Sequence, residues 1–150
     1  MEYGAKVYLE DGSWLVEFPD CPGCQTFGDT EEHARQRGCE ALEGWLEASL
    51  LHGQVPPKPV TRRGTVPVTV RPQLALVLQV RWLRNEYGLT QSGLASKAGI
   101  AQQQVARFED PSTNPTLATI EALVKALDGN LSMTIVPART GKAKRRMTAR

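Results

Sequence analysis

Leu89-Thr90-Gln91-Ser92-Gly93-Leu94-Ala95-Ser96-Lys97-Ala98-Gly99-Ile100-Ala101-Gln102-Gln103-Gln104-Val105-Ala106-Arg107-Phe108-Glu109 is the stretch whose reading decides the fold of the second half of this chain. Thr90 is suited to cap a short helix, because its hydroxyl can accept from one of the unpaired N–H groups of a first turn. Leu94 and Ala98, four residues apart, give that helix an inner face, and Ala95 is small where a second helix must cross closely. Gly99 supplies the positive φ of a tight inter-helix turn. Ile100, Val105 and Phe108 then anchor a second helix. Gln102, Gln103, Ala106 and Arg107 are left on its outward face. Gln can bond adenine and Arg guanine in bidentate fashion, so a face of this kind suits a major groove.

Working outward, Pro72 falls near the first position of an earlier helix, where its missing N–H costs nothing. That helix runs over 73–87 and stops at Gly88. Further short helices reach Asp128-Gly129. Leu131, Met133 and Ile135 alternate and predict a final strand over 131–136, a candidate for pairing between subunits because a lone edge strand exposes unpaired backbone groups. The tail, 138–150, holds Arg139, Lys142, Lys144, Arg145, Arg146 and Arg150 and no acid, a composition expected to stay disordered.

Toward the N-terminus, Tyr3, Ala5, Val7 and Leu9 alternate with polar residues, as do Trp14, Val16 and Phe18, and Asp11-Gly12 between them signals a hairpin. A short strand is expected through Cys24 to Phe27. Asp29 or Thr30 can cap a helix whose first turn carries Glu31 and Glu32, favourable at the positive end of the helix dipole. Ala34, Ala41, Leu42, Trp45, Leu46 and Ser49 form its apolar stripe, which ends near Gly53. Residues 54–64, rich in proline and basic side chains, read as a loop. Val66, Val68 and Val70 give one more strand. The first half is therefore expected as β-β-β-α-β over 1–71, and the second as helical over 72–137.

Charge divides the chain at the same place. Residues 1–64 hold six Lys/Arg and eleven Asp/Glu, a net −5, and residues 65–150 hold twelve and five, a net +7. A basic half suits nucleic acid and an acidic half a basic partner. No apolar run approaches the roughly 18 residues that a membrane-spanning helix needs. The sequence opening Met1-Glu2-Tyr3-Gly4 lacks the marks of a secretory signal, so a cytoplasmic location is expected. Three cysteines do not suggest a disulfide framework.

The segment 89–109 resembles the Cro/Xre-type helix-turn-helix family in its Leu-Thr-Gln, Leu-Ala, Gly-Ile, Gln, Val and Arg-Phe-Glu positions. The likeness extends through Asn114-Pro115-Thr116-Leu117 to Leu127. The chain departs from the family pattern at Ala101, where a capping Ser or Thr is usual, and at Asp110-Pro111, which replaces Asn-Gly. The resemblance implies DNA contacts from Thr90, Gln91, Gln102, Gln103, Gln104, Arg107 and Asn114, with binding as a homodimer or higher even oligomer to an inverted repeat.

The first half resembles HicB-type antitoxins, in Phe18-Pro19-Asp20-Cys21-Pro22-Gly23-Cys24, in Gly28-Asp29-Thr30, in Ala41-Leu42-Glu43-Gly44-Trp45-Leu46 and in Val55-Pro56-Pro57-Lys58-Pro59. That likeness implies a degraded ribonuclease-H-like β-β-β-α-β unit that binds a small basic ribonuclease toxin of the HicA type. Trp14, Phe18, Asp20 and Phe27 are its expected toxin contacts. An acidic surface would complement such a partner. The fold class is thus expected as an α+β domain followed by an all-α helix-turn-helix domain with a short terminal strand.

No catalytic residue is assigned. Asp11, Asp20 and Asp29 sit at turns and caps, without the clustered acids of a metal-dependent nuclease. Cys21 and Cys24 form a C-x-x-C, which can be a redox pair or half a zinc site. No second such pair exists, and His33, Cys39 and His52 fall at no ligand spacing, so neither a metal nor a cofactor is expected. The alternative function is a transcription factor whose N-terminal domain senses a small ligand or redox state through Cys21 and Cys24.

Overall fold

The computed structural model describes residues 1–136; the basic tail expected at 138–150 lies outside the described residues. In chain order the elements are β1 (Glu2–Glu10), β2 (Ser13–Glu17), β3 (Gln25–Gly28), α1 (Glu31–Leu51), β4 (Val66–Thr69), α2 (Pro72–Glu86), α3 (Gln91–Ala98), α4 (Gln102–Glu109) and α5 (Leu117–Ala126). The first half is β-β-β-α-β and the second helical, as the residue patterns predicted.

The four strands form one sheet in the order β3-β2-β1-β4, with every neighbouring pair antiparallel. The hairpin turns at Asp11-Gly12, both with positive φ. Alternation then sorts the side chains. Tyr3, Ala5, Val16 and Val68 are buried on the face that meets Ala34, Leu42 and Leu46 of α1. The close seat of α1 depends on Gly28. A Cβ there would lie 2.6 Å from the Ala34 nitrogen, inside any tolerable contact. Thr30 caps α1, its hydroxyl accepting from the His33 N–H at 3.2 Å.

The proline-rich run 54–64 is no free loop. The Tyr3 hydroxyl donates to the Pro57 carbonyl at 2.8 Å, and the Trp82 indole, from α2, donates to the Pro56 carbonyl at 2.7 Å. Asp20 holds its far end: one carboxylate oxygen accepts the Val60 N–H at 2.9 Å, the other accepts Arg62 at 2.8 and 3.1 Å. The run is therefore a strap fastened from the sheet on one side and from α2 on the other. A second fastening joins the halves at Arg71, which caps α2. Its N–H donates to Glu43 at 2.8 Å and its guanidinium pairs with Glu43 and Glu47.

Two expectations are corrected here. Residues 131–136 form no strand; Leu131 is half-buried and Met133, Ile135 and Val136 are exposed. Alternation fits a strand, but a strand exists only where another backbone completes its ladder. Phe18 and Asp20, expected to face a toxin, point inward: Phe18 is 3% exposed in the core and Asp20 is 8% exposed with both oxygens engaged.

Burial alone would raise the Asp20 carboxyl, yet the Val60 N–H and Arg62 more than offset this and hold it below its usual value. Its charge therefore stabilises the fold above the unfolded pKa of about 4, and that contribution vanishes as pH falls through the lowered native value. Asp20→Asn is expected to cost about 1–3 kcal/mol near neutrality. The gap between wild type and variant should narrow in acid. Urea midpoints near neutrality and near pH 3 check this; an equal gap at both would mean that the charge is not what holds the strap.

Candidate nucleic-acid interface

The second half is organised around Glu109, the last residue of α4, whose side chain is 1% exposed. Arg84 of α2 meets it through Nε and Nη2, at 2.5 and 2.9 Å, and also donates to the Leu89 carbonyl at 2.7 Å. Arg81, one turn earlier on α2, approaches Glu109 to 3.3 Å. The Gln91 amide, at the start of α3, donates to it at 2.9 Å. One carboxylate thus ties α2, the entry to α3 and the end of α4.

Upon this frame, α3 and α4 form the helix-turn-helix. Thr90 caps α3, its hydroxyl accepting from Gly93 N–H at 3.0 Å. Gly99 ends α3 at φ 68°, the left-handed turn expected of it. Leu94, Ala95, Val105 and Phe108 are buried between the helices and against Leu123 of α5. Ala101 caps α4 without a side-chain bond, and Gln104 compensates: its Oε1 accepts the Ala101 N–H at 3.0 Å. Asp110-Pro111 forms a closed turn in which the Asp110 carboxylate accepts from the Ser112 hydroxyl at 2.6 Å and N–H at 2.9 Å, bonds that lower its pKa.

The expected DNA-reading residues separate into three groups. Gln102, Gln103 and Arg107 are exposed on α4 and, among the described residues, form no side-chain hydrogen bond. Gln104 and Asn114 are also exposed, with Arg107 and Thr116 around a groove of about 230 Å³ between α4 and the start of α5. Thr90 and Gln91 instead have structural partners, the Gly93 N–H and Glu109. Sequence reasoning missed Glu109, Arg84 and Arg81, since nothing in their local spacing marks them as one cluster.

On the other half, Trp14 is half-buried against the core and Phe27 is 57% exposed, with the Arg37 guanidinium 5.3 Å from its ring centre. Cys21 and Cys24 are free and buried. Burial pushes the Cys21 thiol up to about 12, helped by Cys24 and Asp20, and the Cys24 thiol to about 11. Thiols held so high supply little thiolate for redox chemistry near neutrality. Among the described residues, no group of three or more His, Cys, Asp or Glu is placed to hold a metal ion, and no helix is long and apolar enough to cross a membrane.

Two family models match along the chain: the HicB-like antitoxin of bacterial toxin–antitoxin systems over residues 5–65, and the helix-turn-helix over 80–132. The first half is thus similar to HicB-like antitoxins, and the second is a helix-turn-helix domain. Among curated proteins, the chain is 27% identical to Antitoxin HicB 1 of Photorhabdus laumondii over 85% of its own length and 81% of that protein's. It is 39% identical to Antitoxin HipB of Escherichia coli over 45% of its length and 72% of that protein's. Among solved structures, the Burkholderia pseudomallei antitoxin HicB matches at a TM-score of 0.43 and 22% identity, over 66% of this chain and 96% of that one.

Removing the Glu109 carboxylate strands two buried arginines without a counter-charge. Glu109→Ala is expected to cost about 3–5 kcal/mol, the range for breaking a buried ion pair from one side. Urea unfolding followed by far-ultraviolet circular dichroism measures it. A loss under about 1 kcal/mol would mean that apolar packing alone holds α2 to α4.

Proposed function

We propose that the chain is the antitoxin of a HicA/HicB-type module: the unit 1–71 binds and neutralises a ribonuclease toxin, and the unit 72–137 binds the operator of its own operon and represses it. The observation that carries this reading is the union, in one chain, of a HicB-like domain with a helix-turn-helix whose second helix presents Gln102, Gln103, Ala106 and Arg107 to solvent. The role is one of binding, not of catalysis, in the cytoplasm.

DNA recognition runs through α4. Gln103 and Arg107, four residues apart, share one face and are assigned to base edges. Gln102, the free amide of Gln104, and Asn114 contribute beside them. Thr90 and Gln91 act by fixing the frame. A single short helix gives little affinity, so two copies read an inverted repeat, as protein symmetry is mirrored in the operator. Of the expected toxin contacts, the exposed Phe27 is retained.

Two experiments test these assignments. Arg107→Ala is expected to cost about 1–3 kcal/mol on operator and to relax preference at one base pair per half-site. Truncation before Arg139 should weaken all sequences alike and flatten the salt dependence by about 0.9 per lost phosphate contact. Titration against operator and scrambled duplex at several salt concentrations separates them; equal weakening of both duplexes by Arg107→Ala makes Arg107 a phosphate clamp. In the second experiment, co-expression of the whole chain with the toxin encoded beside it should restore growth. Continued toxicity with soluble, folded protein overturns the antitoxin reading.

A further inference from the structure

The sheet has two faces, and α1 covers only one. Because Tyr3, Ala5 and Val16 point toward α1, the residues between them point away: Lys6, Tyr8 and Glu10 on β1, Leu15 and Glu17 on β2, Gln25 and Phe27 on β3. The strand register turns this into rows. Tyr8 stands opposite Leu15, and Leu15 opposite Phe27, so an apolar row crosses three strands. The next row is Lys6, Glu17 and Gln25. Tyr8 and Leu15 are partly exposed, and Phe27 is 57% exposed beneath the Arg37 guanidinium.

The rim of this row is acidic. Glu10 and Glu17 flank it and Glu2 shares its face further along β1, against Lys6 and the Arg37 guanidinium over Phe27. The Tyr8 phenol is raised above its usual value by desolvation and then by Glu17 and Glu10, which places both carboxylates around it. Phe27 already carries the Arg37 guanidinium over its ring. We infer that this open face, with the row Tyr8–Leu15–Phe27 at its centre and Glu2, Glu10 and Glu17 at its rim, is the docking surface for a basic protein partner. The charge decides the class of occupant. Nucleic acid is repelled by the carboxylates, and a second copy of the face would meet its own sign. An aromatic and aliphatic centre inside an oppositely charged rim is the anatomy of a specific protein interface. Such a partner replaces Arg37 on Phe27 with a cation of its own, since ring and guanidinium attract.

The inference rests on the toxin-neutralising reading, and identifies the surface used. It is tested by calorimetric titration of the full chain with a catalytically inactivated HicA-type toxin. Phe27→Ser and Leu15→Thr are each expected to weaken binding at least about 10-fold, as for residues central to an interface. The double variant Glu10→Lys/Glu17→Lys should slow association and reverse its response to salt. Operator binding and circular dichroism should match wild type in all three; if Leu15→Thr does not fold, Phe27→Ser and the charge variant decide. Unchanged toxin binding in the folded variants overturns the inference while leaving the antitoxin reading standing. A change in oligomeric state without a change in toxin binding overturns it too, by giving the face to a second copy. A wild-type chain that does not bind the toxin overturns the antitoxin reading itself.

Discussion

A buried carboxylate shared by several donors is an unusual foundation, because taking a charge out of water costs more than most contacts return. Glu109 makes that cost tolerable by having no oxygen idle. Arg84 meets both oxygens, Arg81 and Gln91 approach from other directions, and Arg84 passes a further bond to the Leu89 carbonyl at the exit of α2. The arrangement does what apolar packing does poorly: it sets direction. Leu94, Val105 and Phe108 would tolerate small rotations of α4, whereas a forked arginine against a carboxylate does not. The pitch at which α4 leaves the domain, and so the direction of Gln103 and Arg107, follows from that fork.

The junction between the halves is built on the same logic of many small fastenings. Trp82 reaches from α2 to the Pro56 carbonyl, Lys58 pairs with Glu86, and Arg71 spans Glu43 and Glu47. Prolines deprive the strap of the N–H donors that a strand ladder needs, and Tyr3 and Trp82 supply donors to two of its carbonyls. The strap is ordered by side chains, which is why proline content alone read as a loop. Exposed pairs such as Lys58–Glu86 contribute little by themselves; the buried indole bond is the stronger tie.

How much was legible in the sequence depended on the range of the interaction. The strands of the hairpin, the Thr30 and Thr90 caps, Pro72 at the start of α2 and the left-handed Gly99 are all local, and each was readable from its neighbours. The outward placement of Gln102, Gln103 and Arg107 was legible for the same reason, as helical spacing fixes which face they share. Asp20 was misread because its partners, Val60 and Arg62, lie some forty residues away. Gln91 was read as a DNA contact, yet Glu109 claims its amide from eighteen residues further on. The terminal alternation at Leu131, Met133 and Ile135 differs: the pattern is present, but among the described residues of this one chain no strand forms there.

The frame around Glu109 and the outward residues of α4 share no hydrogen bond. Gln102, Gln103, Ala106 and Arg107 carry no structural duty toward the core, while Val105, Phe108 and Glu109, interleaved with them, carry all of it. If α4 reads DNA as proposed, stability and address are thereby written on alternate faces of one eight-residue helix. On the proposed reading of α4, duplicated copies of such a gene can drift apart in the DNA they choose without passing through an unfolded ancestor, and sister modules in one genome can become deaf to each other's operators one outward residue at a time.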